Sequence, residues 1–159
     1  MVDEKFELGQ ICVVVKNLDE AVKYYWKILG IGPWSIYTAK PPELRDTKVR
    51  GKDVEFSMKL AFARVGSIIL ELIQPLEGES IFKEFLEKKG GGLHHIATYK
   101  VDDLDKTVAQ FKEQGIDVLQ TVKWRGASVV HLDTEEKLGV IIELIKRTTE
   151  LPPPEATYP

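Results

Sequence analysis

Apolar positions along the chain switch between two periods, and the switches mark its elements. Gln10 to Lys16 holds the run Ile11-Cys12-Val13-Val14-Val15 and reads as a buried strand. From Asn17-Leu18-Asp19 onward, Leu18, Ala21, Val22, Tyr25, Ile28 and Leu29 keep helical spacing until Gly30 and the pair Gly32-Pro33 stop the helix. Trp34 to Ala39, Glu55 to Val65 and Ser67 to Ile73 read as strands, the last two meeting at Gly66. Lys40 to Lys52 is polar, contains Pro41-Pro42 and is expected as a mobile loop, with Lys48, Arg50 and Lys52 as solvated charge. Ser80 to Lys89 predicts a second helix with Ile81, Phe82, Phe85 and Leu86 on one face, ended by Gly90-Gly91-Gly92.

The opening plan then recurs. Leu93 to Val101 is a strand, Asp103 to Gln114 a helix, and Asp117 to Trp124, Ser128 to Leu132 and Val140 to Ile145 are strands. QICVVVKNLDEAVKYYWKILGI lies over HIATYKVDDLDKTVAQFKEQGI, and SIILELI over GVIIELI. One residue more separates His95 from Leu104 than Gln10 from Leu18, which a β-bulge or a longer turn in the second copy accounts for. A repeat unit of this size rarely buries its own apolar face, so the copies are expected to pack together. The predicted architecture is α+β: two tandem β-α-β-β-β modules, residues 8–77 and 92–147, forming a curved eight-stranded mixed sheet with helices outside. Residues 8–147 make one domain, 78–91 a linking helix, and 148–159, with Pro152-Pro153-Pro154, an extended arm.

Composition narrows the function classes. Of 159 residues 43% are hydrophobic and 30% charged, without a long apolar stretch, so a soluble globular protein with no membrane partner is expected. The formal net charge is −3 and basic residues are interleaved with acidic ones, which argues against a nucleic-acid partner. The opening MVDEKFELG lacks the apolar core of a secretory signal, so the expected location is cytoplasmic. Cys12 is the only cysteine, which excludes an internal disulfide and a cysteine-based zinc site and leaves packing as its role.

The repeat also makes a site. Glu71 and Glu143 each stand inside an apolar strand without a Lys or Arg, a costly position unless a cation or strong hydrogen bonds compensate. The first residue of strand one and the glutamate of the last strand are equivalent in both modules. Gln10, Glu71, His95 and Glu143 therefore form two related pairs that folding together brings to one place. An amide oxygen, two carboxylates and an imidazole suit one divalent metal ion, Zn, Co, Ni, Mn or Fe(II), with positions left for water or substrate. His94 should face away by strand alternation. His131 reads as a non-ligand, and Trp34, Tyr37 and Trp124 as core or rim aromatics.

These residues resemble the vicinal oxygen chelate superfamily, which includes glyoxalase I, methylmalonyl-CoA epimerase, extradiol dioxygenases and bleomycin-resistance proteins. The carriers are the repeated strand with its Leu-Asp helix, the two Glu-Leu-Ile strands and Gly91-Gly92-Leu93-His94-His95-Ile96-Ala97, spanning about Leu8 to Lys146. The helix from Ser80 to Lys88 before the Gly-rich His-His segment is similar to methylmalonyl-CoA epimerases, whose catalytic glutamate base falls at Glu55. That resemblance implies an epimerase or isomerase that polarises a chelated malonyl-type thioester, with Glu55 on one face of the carbon acid and Glu143 on the other. It also implies a small-molecule substrate such as a CoA thioester, and a homodimer. Two departures stand out: the epimerases have His where Gln10 stands, and His-Pro-Lys where this chain reads His131-Leu132-Asp133-Thr134. The Gln, Glu, His, Glu order is similar to animal-type glyoxalase I, a lyase on thiol adducts of 2-oxoaldehydes. However, Val14 and Pro75 replace that family's Arg and Asn. Extradiol dioxygenases use two His and a carboxylate, so Gln10 argues against oxygen chemistry. A binding protein that kept the fold without catalysis is the third alternative.

Overall fold

The computed structural model describes residues 1–3 and 5–159. The two helix starts predicted from the repeat are capped alike. Asn17 accepts a hydrogen bond from the Glu20 amide and Asp103 one from the Lys106 amide, each contact worth about 1 kcal/mol. Helices α1 (Leu18–Leu29) and α3 (Leu104–Glu113) lie on the outer face of the sheet. Under α1, Leu18 and Val22 meet Trp34, Ala61, Ala63 and Leu72; under α3, Leu104 and Val108 meet Val130, Leu132, Ile142 and Leu144. Helix α2 (Ile81–Lys89) instead puts Phe82 and Phe85 against the inner core with Cys12, Val14, Phe56 and Leu60.

The core strands are β1 (Gln10–Val14), β2 (Trp34–Ala39), β5 (Phe56–Val65) and β6 (Ile68–Gly78), then β7 (Gly92–Thr98), β8 (Val118–Trp124), β9 (Ala127–Leu132) and β10 (Ile141–Arg147). Three short strands complete the sheet: β3 (Arg45–Val49), β4 (Lys52–Asp53) and β11 (Ala156–Tyr158). A four-residue helix, α4 (Glu135–Leu138), precedes β10. Sheet order is β11-β2-β5-β6-β1-β7-β10-β9-β8-β3-β4. The modules meet where β1 pairs antiparallel with β7, and each first strand runs parallel to its module's last strand. Gln10 lies opposite Ala97 and Cys12 opposite His95, a local two-fold relation between the copies.

The sheet has eleven strands, not the eight expected. The polar stretch read as a loop holds a strand because Leu44, Thr47 and Val49 turn toward the core while Arg45, Lys48 and Val49 pair with β8. The Pro-rich tail ends as a strand on β2, with Ala156 opposite Ile36 and Tyr158 opposite Trp34. A segment of the first module therefore covers β8 of the second, and the C-terminal arm covers β2 of the first, a familiar way to block an open sheet edge. On its way the tail packs Leu151 on the inner core, and its Pro152 carbonyl accepts from the Tyr37 hydroxyl at 3.0 Å. No described helix is long and apolar enough to cross a membrane.

Candidate metal centre

Strand alternation delivers the donors to the inner face. Along β10, Glu143, Ile145 and Arg147 share that face, while Ile142 and Leu144 pack under α3. On β6, Glu71 and Ile73 point inward and Leu72 packs under α1. Cys12 is opposite Glu71 in the β1–β6 pair, and Ala97 is opposite Glu143 in the β7–β10 pair. Gln10 and His95 each sit two residues earlier, so the four donors come from equivalent places in the repeat. All four are buried.

Their separations suit a shared ion. The Gln10 amide nitrogen Nε2 is 2.9 Å from Glu71 Oε2 and 3.3 Å from Glu143 Oε2. His95 Nε2 is 3.1 Å from Glu143 Oε2 and 3.5 Å from Glu71 Oε2. Donors bound at roughly 2.0–2.2 Å to one ion stand about 3 Å apart in neighbouring positions. The contacts at His95 Nε2 are close without being aligned as hydrogen bonds, so this buried atom has no hydrogen-bond partner. His95 Nδ1 lies 2.9 Å from His94 Nδ1. Burial, then the neighbouring His95 and His131, push His94 down to about 2, so its neutral ring accepts the His95 Nδ1 proton. Burial alone would lower His95 itself, but the neighbouring Cys12 and the carboxylate of Glu143 raise it, so without metal its Nε2 is protonated; loss of that proton to a bound cation would turn the Nε2 lone pair toward the carboxylates, as a metal ligand requires.

Tyr99 donates its hydroxyl to Gln10 Oε1. A half-turn of the amide exchanges its two ends: Oε1 then faces the carboxylates and Nε2 donates to the phenol oxygen, the orientation a cation demands. Gly9 leaves room for this contact, since a Cβ there would stand 2.7 Å from Tyr99 Cδ2. Burial raises the Glu71 carboxyl. Burial alone would raise Glu143 too, but the rings of His95 and His131 hold it below the usual carboxylate range. Burial pushes the Cys12 thiol up, so beside Glu71 and His95 it remains a packed, protonated thiol. The donor set fits a divalent cation: two carboxylates balance its charge, and the imidazole and amide add neutral donors.

The cleft above these donors is narrow, with about 60 Å³ of free space, and its walls are largely apolar: Met58, Leu60, Phe62, Phe82, Val122 and Trp124. Glu55 is not brought there. It is exposed, just before β5, and borders a separate shallow depression with Lys40 and Glu77. On β5 the inward positions are Met58, Leu60 and Phe62, so pleating puts Glu55 on the other parity.

His94 departs from expectation, and His131 joins the site without being one of its four donors. A bulge in β7, where Cys12 faces His95 but Val13 faces Leu93, breaks alternation and turns His94 inward beside His95. Its ring packs against Phe82 and Phe85. The extra residue of the second copy is elsewhere, in the turn between Ala97 and Asp103. His131 is the residue that sequence reasoning missed. It lies opposite Glu143 in the β9–β10 pair, with Nε2 3.0 Å from Glu143 Oε1. Its first-module equivalent is Phe62, opposite Glu71. The α4 turn lengthens the second hairpin and hides that equivalence in a residue count. Trp34 lies under α1, whereas Trp124 lines the cleft and Tyr37 stacks against it.

Comparison with known proteins places this geometry in a family. Residues 9–131 match the profile described as the glyoxalase/bleomycin resistance protein/dioxygenase superfamily. An uncharacterized Bacillus subtilis protein is 29% identical over 140 residues, covering 86% of this chain and 89% of that protein. Human mitochondrial methylmalonyl-CoA epimerase is 28% identical over 141 residues, covering 86% and 72%. Among solved structures, a hypothetical protein from Bacillus halodurans aligns with TM-score 0.70 at 25% identity, covering 92% of this chain and 97% of that one. Methylmalonyl-CoA epimerase from Mycobacterium tuberculosis aligns with TM-score 0.65 at 21% identity, covering 89% and 88%, a likeness of fold. With the repeat, the paired first and last strands and the inward donor set in agreement, the chain belongs to the glyoxalase/bleomycin resistance protein/dioxygenase superfamily.

Proposed function

We infer that this chain is a divalent-metal-dependent epimerase or isomerase that moves a proton at a carbon between two chelated carbonyl oxygens, with methylmalonyl-CoA as its leading substrate. The observation that carries the reading is the convergence of Gln10, Glu71, His95 and Glu143 at the floor of an apolar cleft. The epimerases among its relatives support the substrate. An ion held by these four residues would supply Lewis acidity to the carbonyl oxygens.

The chain's own residues divide the remaining work. Glu143 is the base: the His95 and His131 rings keep it ionised, and His131 Nε2 lies 3.0 Å from its Oε1. Glu71 approaches from the other module across the local two-fold relation and is the group on the opposite face of the carbon. It takes the place that the family resemblance implied for Glu55. The apolar walls exclude water from the carbanionic carbon. We take the working unit to be a homodimer, as the family resemblance implies; sedimentation as a monomer at assay concentration would remove that element.

The test is solvent exchange. Cobalt- or zinc-loaded protein should move deuterium from D2O onto the α-carbon of methylmalonyl-CoA, and Glu143→Gln should stop the exchange while Glu55→Gln leaves it unchanged. Metal-loaded protein that does not exchange that proton would sink the assignment. Gln10 favours the glyoxalase-like alternative, which predicts turnover of a hemithioacetal of methylglyoxal with a thiol other than glutathione in the same preparation, since Val14 and Pro75 stand at the positions of that family's Arg and Asn.

A further inference from the structure

The cleft contains one cation that the proton-transfer reading does not use. Arg147 ends β10 on the same face as Glu143 and Ile145, and its side chain lines the cleft. Its Nη1 is fixed by two backbone carbonyls, Arg125 at 2.9 Å and Thr149 at 3.3 Å. Among the described residues no carboxylate comes within ion-pair distance of it. Neighbouring Arg125, by contrast, pairs with Glu43 at 2.8 Å. Half-burial works against the Arg147 charge, and the two carbonyls, both on Nη1, compensate it only in part.

Charge counting points the same way. Glu71 and Glu143 neutralise a divalent ion, and the remaining donors to it are uncharged. Among the described residues Arg147 is the only other Asp, Glu, Lys or Arg lining the cleft, so the loaded cleft carries one uncompensated positive charge. Four residues along a strand separate the Arg147 and Glu143 Cα atoms by about 13 Å. A guanidinium arm narrows that gap to the length of a short acyl chain. We propose that Arg147 is a specificity-determining residue, which selects substrates carrying an anionic oxygen, a carboxylate by preference, beyond the pair of oxygens that chelate the metal.

The proposal rests on the chelating site above and leaves the reaction open. Its test uses two probes with the same chelating head on cobalt-loaded protein: 2-oxoglutarate, which has a distal carboxylate, and 2-oxopentanoate, which has a methyl group there. Calorimetric titration should show 2-oxoglutarate binding more tightly by about tenfold, the effect of one charge-assisted hydrogen bond. Arg147→Gln should erase that preference while keeping 2-oxopentanoate affinity, and Arg147→Lys should keep part of it. Equal binding of both probes by the unmodified protein overturns the proposal whatever the variants do. So does a preference that survives Arg147→Gln, or a change confined to adenosine 3′,5′-bisphosphate, which would assign the arginine to a nucleotide phosphate. A chain that shows the preference but exchanges no proton on methylmalonyl-CoA keeps this inference and loses the epimerase reading. Exchange without the preference does the reverse.

Discussion

Replacing Glu71 by Gln should move stability and metal affinity in opposite directions. Without metal, Glu71 and Glu143 share the Gln10 amide at 2.9 and 3.3 Å, both buried, with the raised-pKa His95 imidazolium to offset only one of them. Two unit charges about 5 Å apart repel by about 3 kcal/mol at an effective dielectric near 20. Glutamine removes that repulsion, keeps the shape and keeps an oxygen for the Gln10 amide. Allowing for imperfect new hydrogen bonds, a gain of about 1–2 kcal/mol is expected. For a chain of this length that raises Tm by about 3–8 °C. Bound metal reverses the order. Unmodified protein gains about 2.7 kcal/mol at a metal concentration of 100 Kd, whereas the variant, short of one charged ligand, should bind at least tenfold more weakly. The assay is thermal melting after EDTA treatment and again across a cobalt titration. A variant that melts lower than the unmodified protein without metal would refute the reasoning, since Glu71 would then be a structural anchor rather than a ligand kept at a cost to the fold.

The same site predicts a pH dependence. A carboxyl raised by folding, as Glu71 is, favours the fold below about pH 4.3 and loses that contribution as pH rises through the raised value. The metal-free protein should weaken across that window and the metal-induced gain in Tm should grow across it; a gain largest at acid pH would contradict this. His131→Gln should lower cobalt affinity by about 10–100-fold through loss of the imidazole that stands 3.0 Å from Glu143 Oε1, with unaltered affinity as the contrary result. Gly9→Ala should displace the Tyr99 ring, because its methyl would stand 2.7 Å from Cδ2, and should weaken metal binding about as much as Tyr99→Phe. An effect of Gly9→Ala that persists in Tyr99→Phe protein would assign the glycine another role.

The convergence of Gln10, Glu71, His95 and Glu143 was legible because the repeat is written in the sequence: a buried Glu in each Glu-Leu-Ile strand and a polar residue at the equivalent position of each first strand. Alternation and capping then fixed which way those residues face. What stayed hidden depends on long-range pairing. Arg45 to Val49 shows no strong strand pattern of its own and becomes a strand because β8 offers it an edge. The tail is rich in proline, yet Ala156 to Tyr158 still adds to β2. His131 reaches Glu143 only through the register of β9 on β10, which the α4 turn hides, and His94 turns inward only through a bulge. Glu55 was placed by counting back from Glu71, and a count along the chain does not carry the parity of β5.

The most direct test of the site is a crystal structure of cobalt-loaded protein with anomalous data at the metal edge. One strong peak per chain, within ligand distance of Gln10 Oε1, Glu71, His95 Nε2 and Glu143, is the predicted result. No peak there, or a single peak elsewhere in the chain, would contradict the account.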